Sequence, residues 1–245
     1  MMNKIGIVLV GYGKMGQVVA QLLSDTPDVN HAATVGKTPD ADVYAELSAT
    51  MQPFDAIIDF SHHSNIEKIL RYAQEKQKPL VICTTGFSPE QEEKITRAAE
   101  KIPIVYSQNM SIGINVMLDA VRRINDALGV AFDVELIEAH HNLKEDAPSG
   151  TAKMLLTALN HNDNTLVYGR EGHRRRAAGE IGVHAVRGGT IVGEHTVLFA
   201  GADEMLEIKH TALSKKIFAA GALRAVRFIA NQPAGLYRMA DVLKP

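Results

Sequence analysis

Short apolar runs alternate with amphipathic stretches through the first half of this chain. KIGIVLV (4–10), FDAIIDF (54–60), PLVICTT (79–85) and IPIVYS (102–107) are rich in β-branched residues and too short for buried helices, so they predict interior strands of a parallel sheet. A further strand is expected near HAATVGK (31–37). Between them, residues 15–23, NIEKILRYAQEK (65–76) and SPEQEEKITRAAEK (88–101) predict helices. Ser88, Pro89 and Gln91 are start signals for the last of these. Alternation of this kind predicts a doubly wound parallel sheet, the Rossmann-type α/β arrangement.

The pattern changes after Ser111. SIGINVMLDAVRRINDALG predicts a helix with Ile114, Met117, Leu118, Val121 and Ile124 on one face. Strands are expected over 132–141, 180–193, 194–201 and 204–212. In the second, Ile181, Val183, Ala185 and Arg187 would share one face, with Gly182, His184 and Val186 on the other. This half predicts an α+β unit on an open mixed sheet, mostly antiparallel, whose exposed edges and uncovered face favour self-association. Residues 215–233 predict a helix whose small residues suit packing back on the first half. The expected domains are 1–111 with 216–245 for a dinucleotide, and 112–215 for substrate and oligomerisation. Hinges are expected near Ser111 and Lys215, with closure expelling water.

Composition narrows the class of function. The 245 residues are 46% hydrophobic and 22% charged, with a net charge of −2. That balance gives no bulk drive toward nucleic acid or an anionic membrane. No apolar run approaches ~18 residues, so no membrane span is expected. The first apolar run leads into a glycine turn rather than a cleavage pattern. Cys83 is the only cysteine, which suits a reducing cytoplasm. The basic run His173–Arg176 reads as a mobile, solvated loop.

GYGKMG places Gly11, Gly13 and Gly16 in the G-x-G-x-x-G spacing, directly after a strand and at the start of a helix. Gly11 permits the tight turn, Gly13 lets backbone approach a pyrophosphate, and Gly16 allows close helix packing. With Tyr12, Lys14 and Met15 these form the expected dinucleotide cradle at a helix N-terminus. Ligands on such sheets bind beyond the strand C-terminal ends. Asp59-Phe60-Ser61, Cys83-Thr84-Thr85 and Ser107-Gln108-Asn109-Met110 all fall there. The second strand ends in Gly36-Lys37 without a carboxylate for a ribose hydroxyl. Lys37 is placed to pair with a 2′-phosphate, so NADPH is expected ahead of NADH.

EAHHNLKEDAPSGTA (138–152) is the densest chemistry in the chain. His140 and His141 exchange protons near neutrality, Lys144 is a cation, and Pro148–Thr151 feeds a helix start that can cradle an anion. The segment suits a small acidic substrate that is protonated during reaction. Three other readings stay open on the residues: a semialdehyde or sugar dehydrogenase, for which Cys83 is the only thiol nucleophile; a metal hydrolase using His140, His141 and His195 with Glu194; and a non-catalytic nucleotide sensor. Neighbouring strand residues point to opposite faces, and no H-E-x-x-H or cysteine ligand set exists, so no metal is expected. Arg187 and His195 either line a cleft or brace the sheet.

These residues together make the chain resemble the 4-hydroxy-tetrahydrodipicolinate (dihydrodipicolinate) reductases of lysine and diaminopimelate biosynthesis. The shared pieces are GYGKMG, DFS at 59–61, TTG at 84–86, EAHHNLKEDAPSGTA, RGGTIVGEHTVLFAG at 187–201 and FAAGALRA. The resemblance implies a cytoplasmic, homotetrameric NAD(P)H oxidoreductase acting on a small cyclic imine with two carboxylates. It implies His140 as proton donor, Lys144 as second catalytic residue, and His141 with Ser149, Gly150 and Thr151 as carboxylate contacts. Residues 11–16, 83–85 and 107–110 would contact the nucleotide. Hydride would reach ring C4 and a proton ring C3. Lys144 would also lower the proton affinity of His140. Two positions depart from the family's habit: Cys83 where glycine is common, its side chain narrowing the approach to nicotinamide, and Gly36 where many members carry an acid.

Overall fold

The computed structural model describes residues 4–36, 43–49, 52–159 and 164–244. The chain divides into two compact units, Met1–Ile112 with Lys215–Pro245, and Gly113–Ser214. The first unit begins with β1 (Ile5–Val10), α1 (Lys14–Ser24), β2 (Val29–Val35), β3 (Val43–Tyr44), β4 (Ala56–Asp59), α2 (Ile66–Lys76), β5 (Leu80–Ile82), α3 (Pro89–Ala99) and β6 (Pro103–Tyr106). Adjacent β1 residues serve opposite faces of the sheet, because side chains alternate along a strand. Val8 and Val10 pack with Ile66, Ile69 and Ile95, while Ile7 and Leu9 pack with Val19 and Leu23. This double burial is why these strands are continuously apolar. Ser88 caps α3 as expected: its hydroxyl accepts from Gln91 N–H, and the Gln91 side chain accepts from Ser88 N–H.

The second unit holds α4 (Ile112–Leu128, entering from the first), β7 (Asp133–His140), α5 (Gly150–Leu159), β8 (Thr165–Tyr168), β9 (Glu180–Arg187), β10 (Gly193–Ala200) and β11 (Met205–Ala212). Its sheet order is β11-β10-β7-β9-β8. The sheet is mixed, but the expectation of a mostly antiparallel one is corrected. β10 pairs antiparallel with β7 and β11, whereas β7–β9 and β8–β9 are parallel. The return through α5 sets β8 in the direction of β7, and a second return through residues 169–179 sets β9 the same way, which makes the parallel pairs. One face is covered by α4 and α5: Met117, Val121, Leu155 and Leu159 pack on Leu136, Val183, Val197 and Phe199. Ile137, Val186, Leu198 and Met205 share the opposite face by alternation and register. Val186 and Met205 are exposed there.

The chain then completes the first unit with α6 (Lys216–Ile229), β12 (Gly235–Tyr237) and α7 (Met239–Val242). β12 joins the edge of the parallel sheet beside β6, giving the order β12-β6-β5-β4-β1-β2-β3. The small residues of α6 permit close packing, for a Cβ at Gly221 would lie 1.7 Å from Met110 O. β3, β8 and β12 escaped the sequence reading. Each is two to four residues long, and its strand state comes from the neighbour it pairs with. The single long strand expected over 180–193 stops at Arg187, where residues 188–192 turn into β10.

A second correction concerns the basic run. Arg174 pairs with Glu180, Arg176 pairs with Glu135 and Asp133, and Arg170 bridges Glu135 and Glu180. Glu180 is buried. A buried carboxylate needs cationic partners, so the run is tied to the sheet at Arg174 and Arg176, while His173, Arg174 and Arg175 are solvent-exposed as expected.

Candidate active site

In the first unit, the glycine turn runs from β1 into α1 with the geometry its spacing demands. Gly11 sits at φ +99°, and a Cβ there would lie 2.4 Å from Phe60 O. A Cβ at Gly16 would lie 2.0 Å from Gly11 O, so the helix can pack here only without a side chain. Gly13 caps α1, no side chain bonds to that helix end, and a Cβ at Gly13 would meet nothing within 4 Å. Bare N–H groups therefore face open space, the arrangement that binds a phosphate.

A cavity of about 990 Å³ adjoins the turn, lined by Tyr12, Gly36, Ser61, His62, Lys68 and Arg71 among others. Its size is that of a nucleotide-scale pocket. These residues fit a dinucleotide. Lys37 lies outside the described residues. Lys14 is exposed, and Tyr12 and Met15 are half-buried.

The three expected loops follow β4, β5 and β6 at one edge of the sheet. Asp59 Oδ1 accepts from Ser61 N–H at 2.9 Å and Ser61 Oγ at 2.6 Å. Burial pushes the Asp59 carboxyl above its usual range. Ser107 Oγ donates to Asn109 O, and Asn109 Oδ1 accepts from Ser111 N–H. Thr84, Ser107, Asn109 and Met110 are buried, whereas Thr85 and Gln108 are exposed. Cys83 packs against the apolar layer of Ile58, Val81 and Ala222. Burial, then the Asp59 carboxylate, push its thiol well up. A thiol held in that form is a poor nucleophile, which removes the support for acylating semialdehyde chemistry.

The second unit gathers charged groups where the first removes side chains. Glu138 and His140 lie two apart on β7 and so share a face. Both are buried, with Glu138 at 0% exposure. His140 Nδ1 lies 2.5 Å from Glu138 Oε2. Arg187, on neighbouring β9, donates to both Glu138 oxygens at 2.8 Å, a bidentate clamp. Ser149 N–H donates to Glu138 Oε1 at 3.1 Å. Burial pushes the Glu138 carboxyl up, but the bonds from Arg187, His140 and Ser149 outweigh it and hold it below the usual carboxylate range.

Burial lowers the proton affinity of His140, Glu138 opposes this, and Lys144 and Arg187 add smaller downward pushes. The expected direction is therefore present, but Lys144 is a minor cause of it. Lys144 is engaged with Asp146 at 2.8 Å. Ser149 caps α5, its hydroxyl accepting from Ala152 N–H at 3.1 Å. Its own N–H is spent on Glu138; of the other expected anion contacts, Gly150 and Thr151 lie in the first turn of α5, and His141, directly after β7, is half-buried.

Glu138, Arg187 and His195 extend the expected site. Glu138 stood inside the motif without a role, and strand alternation was the signal that could have placed it with His140. Ser149 Oγ lies 3.0 Å from His195 Nε2, and the His140 and His195 rings meet edge-on, with centroids 5.1 Å apart. Burial, then His140, lower the His195 pKa to about 4. Among the described residues, no group of three or more His, Cys, Asp or Glu is arranged to hold a metal ion. Among them also, no helix is long and apolar enough to cross a membrane.

Comparison with known proteins gives concordant results. The family model "Dihydrodipicolinate reductase, N-terminus" matches residues 5–110, and "Dihydrodipicolinate reductase, C-terminus" matches residues 113–243. The 4-hydroxy-tetrahydrodipicolinate reductase of Clostridium tetani is 43% identical over 96% of this chain and 95% of its own length. That of Caldanaerobacter subterraneus is 44% identical over 95% of each. The fold matches the dipicolinate-bound dihydrodipicolinate reductase of Paenisporosarcina with a TM-score of 0.79 at 23% identity, covering 98% of this chain and 100% of that one. The chain belongs to the dihydrodipicolinate reductase family.

Proposed function

We propose that this chain catalyses the NAD(P)H-dependent reduction of 4-hydroxy-tetrahydrodipicolinate (dihydrodipicolinate) to tetrahydrodipicolinate, in the cytoplasm, for lysine and diaminopimelate synthesis. The observation that carries this reading is His140. Its ring is buried, held through Nδ1 by Glu138, whose other oxygen accepts from Ser149 N–H at the head of α5. Reduced nicotinamide supplies a hydride when bound, and ring C4 of the substrate receives it. His140, as imidazolium, gives its proton to the adjacent carbon, C3. Lys144 holds one substrate carboxylate, exchanging its exposed partner Asp146 for it. Gly150, Thr151 and His141 hold the other carboxylate, through the α5 N-terminus and the imidazole.

Residues 1–111 with 216–245 bind the dinucleotide, through the turn at Gly11–Gly16 and the loops at 83–85 and 107–110. Residues 112–215 bind substrate and assemble a homotetramer. The exposed apolar positions Val186 and Met205 on the uncovered sheet face support that assembly. NADPH is the preferred reductant. The cavity beside Gly36 carries Lys68 and Arg71 to meet a 2′-phosphate, alongside Glu46 and Glu75 in the same lining, and no acid stands at Gly36 itself to repel it.

The test is NADPH oxidation in the presence of freshly made substrate, repeated with NADH. Substrate-dependent oxidation is expected, with a higher kcat/KM for NADPH. No oxidation with either cofactor overturns the activity; equal or greater efficiency with NADH overturns only the preference.

A further inference from the structure

We propose that Glu138 is the positioning residue for the proton donor: its carboxylate, gripped by Arg187, holds His140 with hydrogen on Nδ1, so that only Nε2, which Gly193 leaves uncovered, exchanges a proton. This rests on His140 being the donor.

An ionised carboxylate only accepts hydrogen bonds. Both Glu138 oxygens are committed as acceptors, to Arg187 and His140 on one and to Arg187 and Ser149 on the other. His140 Nδ1 therefore donates whether the ring is neutral or charged, and the changing proton is always on Nε2. Arg187 is itself held by Val186 O and Asp146 O, so its two bonds to Glu138 fix the carboxylate in this orientation. Beside Nε2 stands Gly193 of β10, where a Cβ would lie 3.1 Å from that atom. Any side chain there would crowd the nitrogen. His195 cannot substitute as donor at neutral pH. Its Nε2 lies 3.0 Å from Ser149 Oγ, which also accepts from Ala152 N–H, and burial favours the neutral ring.

The charges facing His140 come from every neighbouring element: Glu138 on β7 itself, Arg187 on β9, His195 on β10 and Lys144 in the following loop. Asp146 partners Lys144, and His210 on β11 lies behind His195. Glu138 alone among those beside the ring favours the charged form. In the step itself, the Nε2–H bond breaks with its electron pair remaining on nitrogen. The new C–H bond at the substrate carbon forms from the enamine pair. The Nδ1 proton stays in place, and Glu138 ends as it began.

Glu138→Gln tests this. The expected result is a fall in kcat of at least about tenfold, with the alkaline limb of the kcat–pH profile moved about one unit or more toward acid, and KM for NADPH unchanged. His140→Gln in the same assay separates the two ideas. Unchanged kcat in that variant overturns the donor itself. Loss of activity there, with the alkaline limb of Glu138→Gln unmoved, overturns the positioning role alone. Should Glu138→Gln not fold, ¹⁵N NMR of the unaltered protein decides. Neutral His140 carrying hydrogen on Nδ1 supports the proposal, and hydrogen on Nε2 overturns it.

Discussion

The turn after β1 and the end of β7 are both sites for charged ligands, yet they are made by opposite means. At Gly11–Gly16, side chains are removed so that backbone N–H groups stand bare at a helix end. At Glu138–His140, polar side chains are buried and must answer one another: carboxylate to guanidinium, imidazole to carboxylate, hydroxyl to imidazole. A site made of backbone tolerates its ligand's absence at no electrostatic cost, because its dipoles are already part of a helix. A site made of buried charge is stable only while every partner is present. The first should therefore fail by steric change, and the second by loss of a partner or a proton.

His140→Gln separates the two most sharply. It should lower kcat by on the order of 10²–10⁴ while leaving NADPH affinity unchanged, because it removes a positioned acid from one unit only. Steady-state kinetics with a fluorescence titration of NADPH checks both, and an unaltered kcat breaks the assignment.

Gly16→Ala probes the backbone site. Its Cβ would lie 2.0 Å from a backbone oxygen, so about 3 kcal/mol of stability should be lost together with cofactor binding. A wild-type denaturation midpoint in that variant would mean the turn has slack.

Acid probes the charged site. The His195 pKa is about 4 in the folded chain, whereas an exposed histidine takes its proton near 6.5. The unfolded state thus binds more protons between those values, and stability is lost as pH falls through them. Between pH 7 and pH 5 the loss should be about 2 kcal/mol, read from denaturant midpoints, and His195→Gln should flatten that slope. An equally steep slope in the variant would place the acid sensitivity elsewhere.

The smallest effect is expected from Gly193→Ala, whose methyl would press on His140 Nε2. About a tenfold loss in kcat with little change in stability is expected, since a slight displacement of a donor is enough to slow transfer.

The amino-acid sequence by itself determined the parallel sheet, the glycine turn and the segment around His140. Each is written in neighbouring residues: apolar runs of strand length, a fixed glycine spacing, a motif within fifteen positions. The three short strands were not legible, because two to four residues carry no period and borrow their conformation from a neighbour. Arg176 looked solvated because the acids it meets, Asp133 and Glu135, lie about forty positions earlier. For the same reason only the tertiary structure joined Arg187 to Glu138 across 49 positions and His195 to Ser149 across 46. Spacing along a chain reports which groups one element can present together. Which charge a buried carboxylate will meet is settled by strand order and register, because the energy of burying it depends on contact in space.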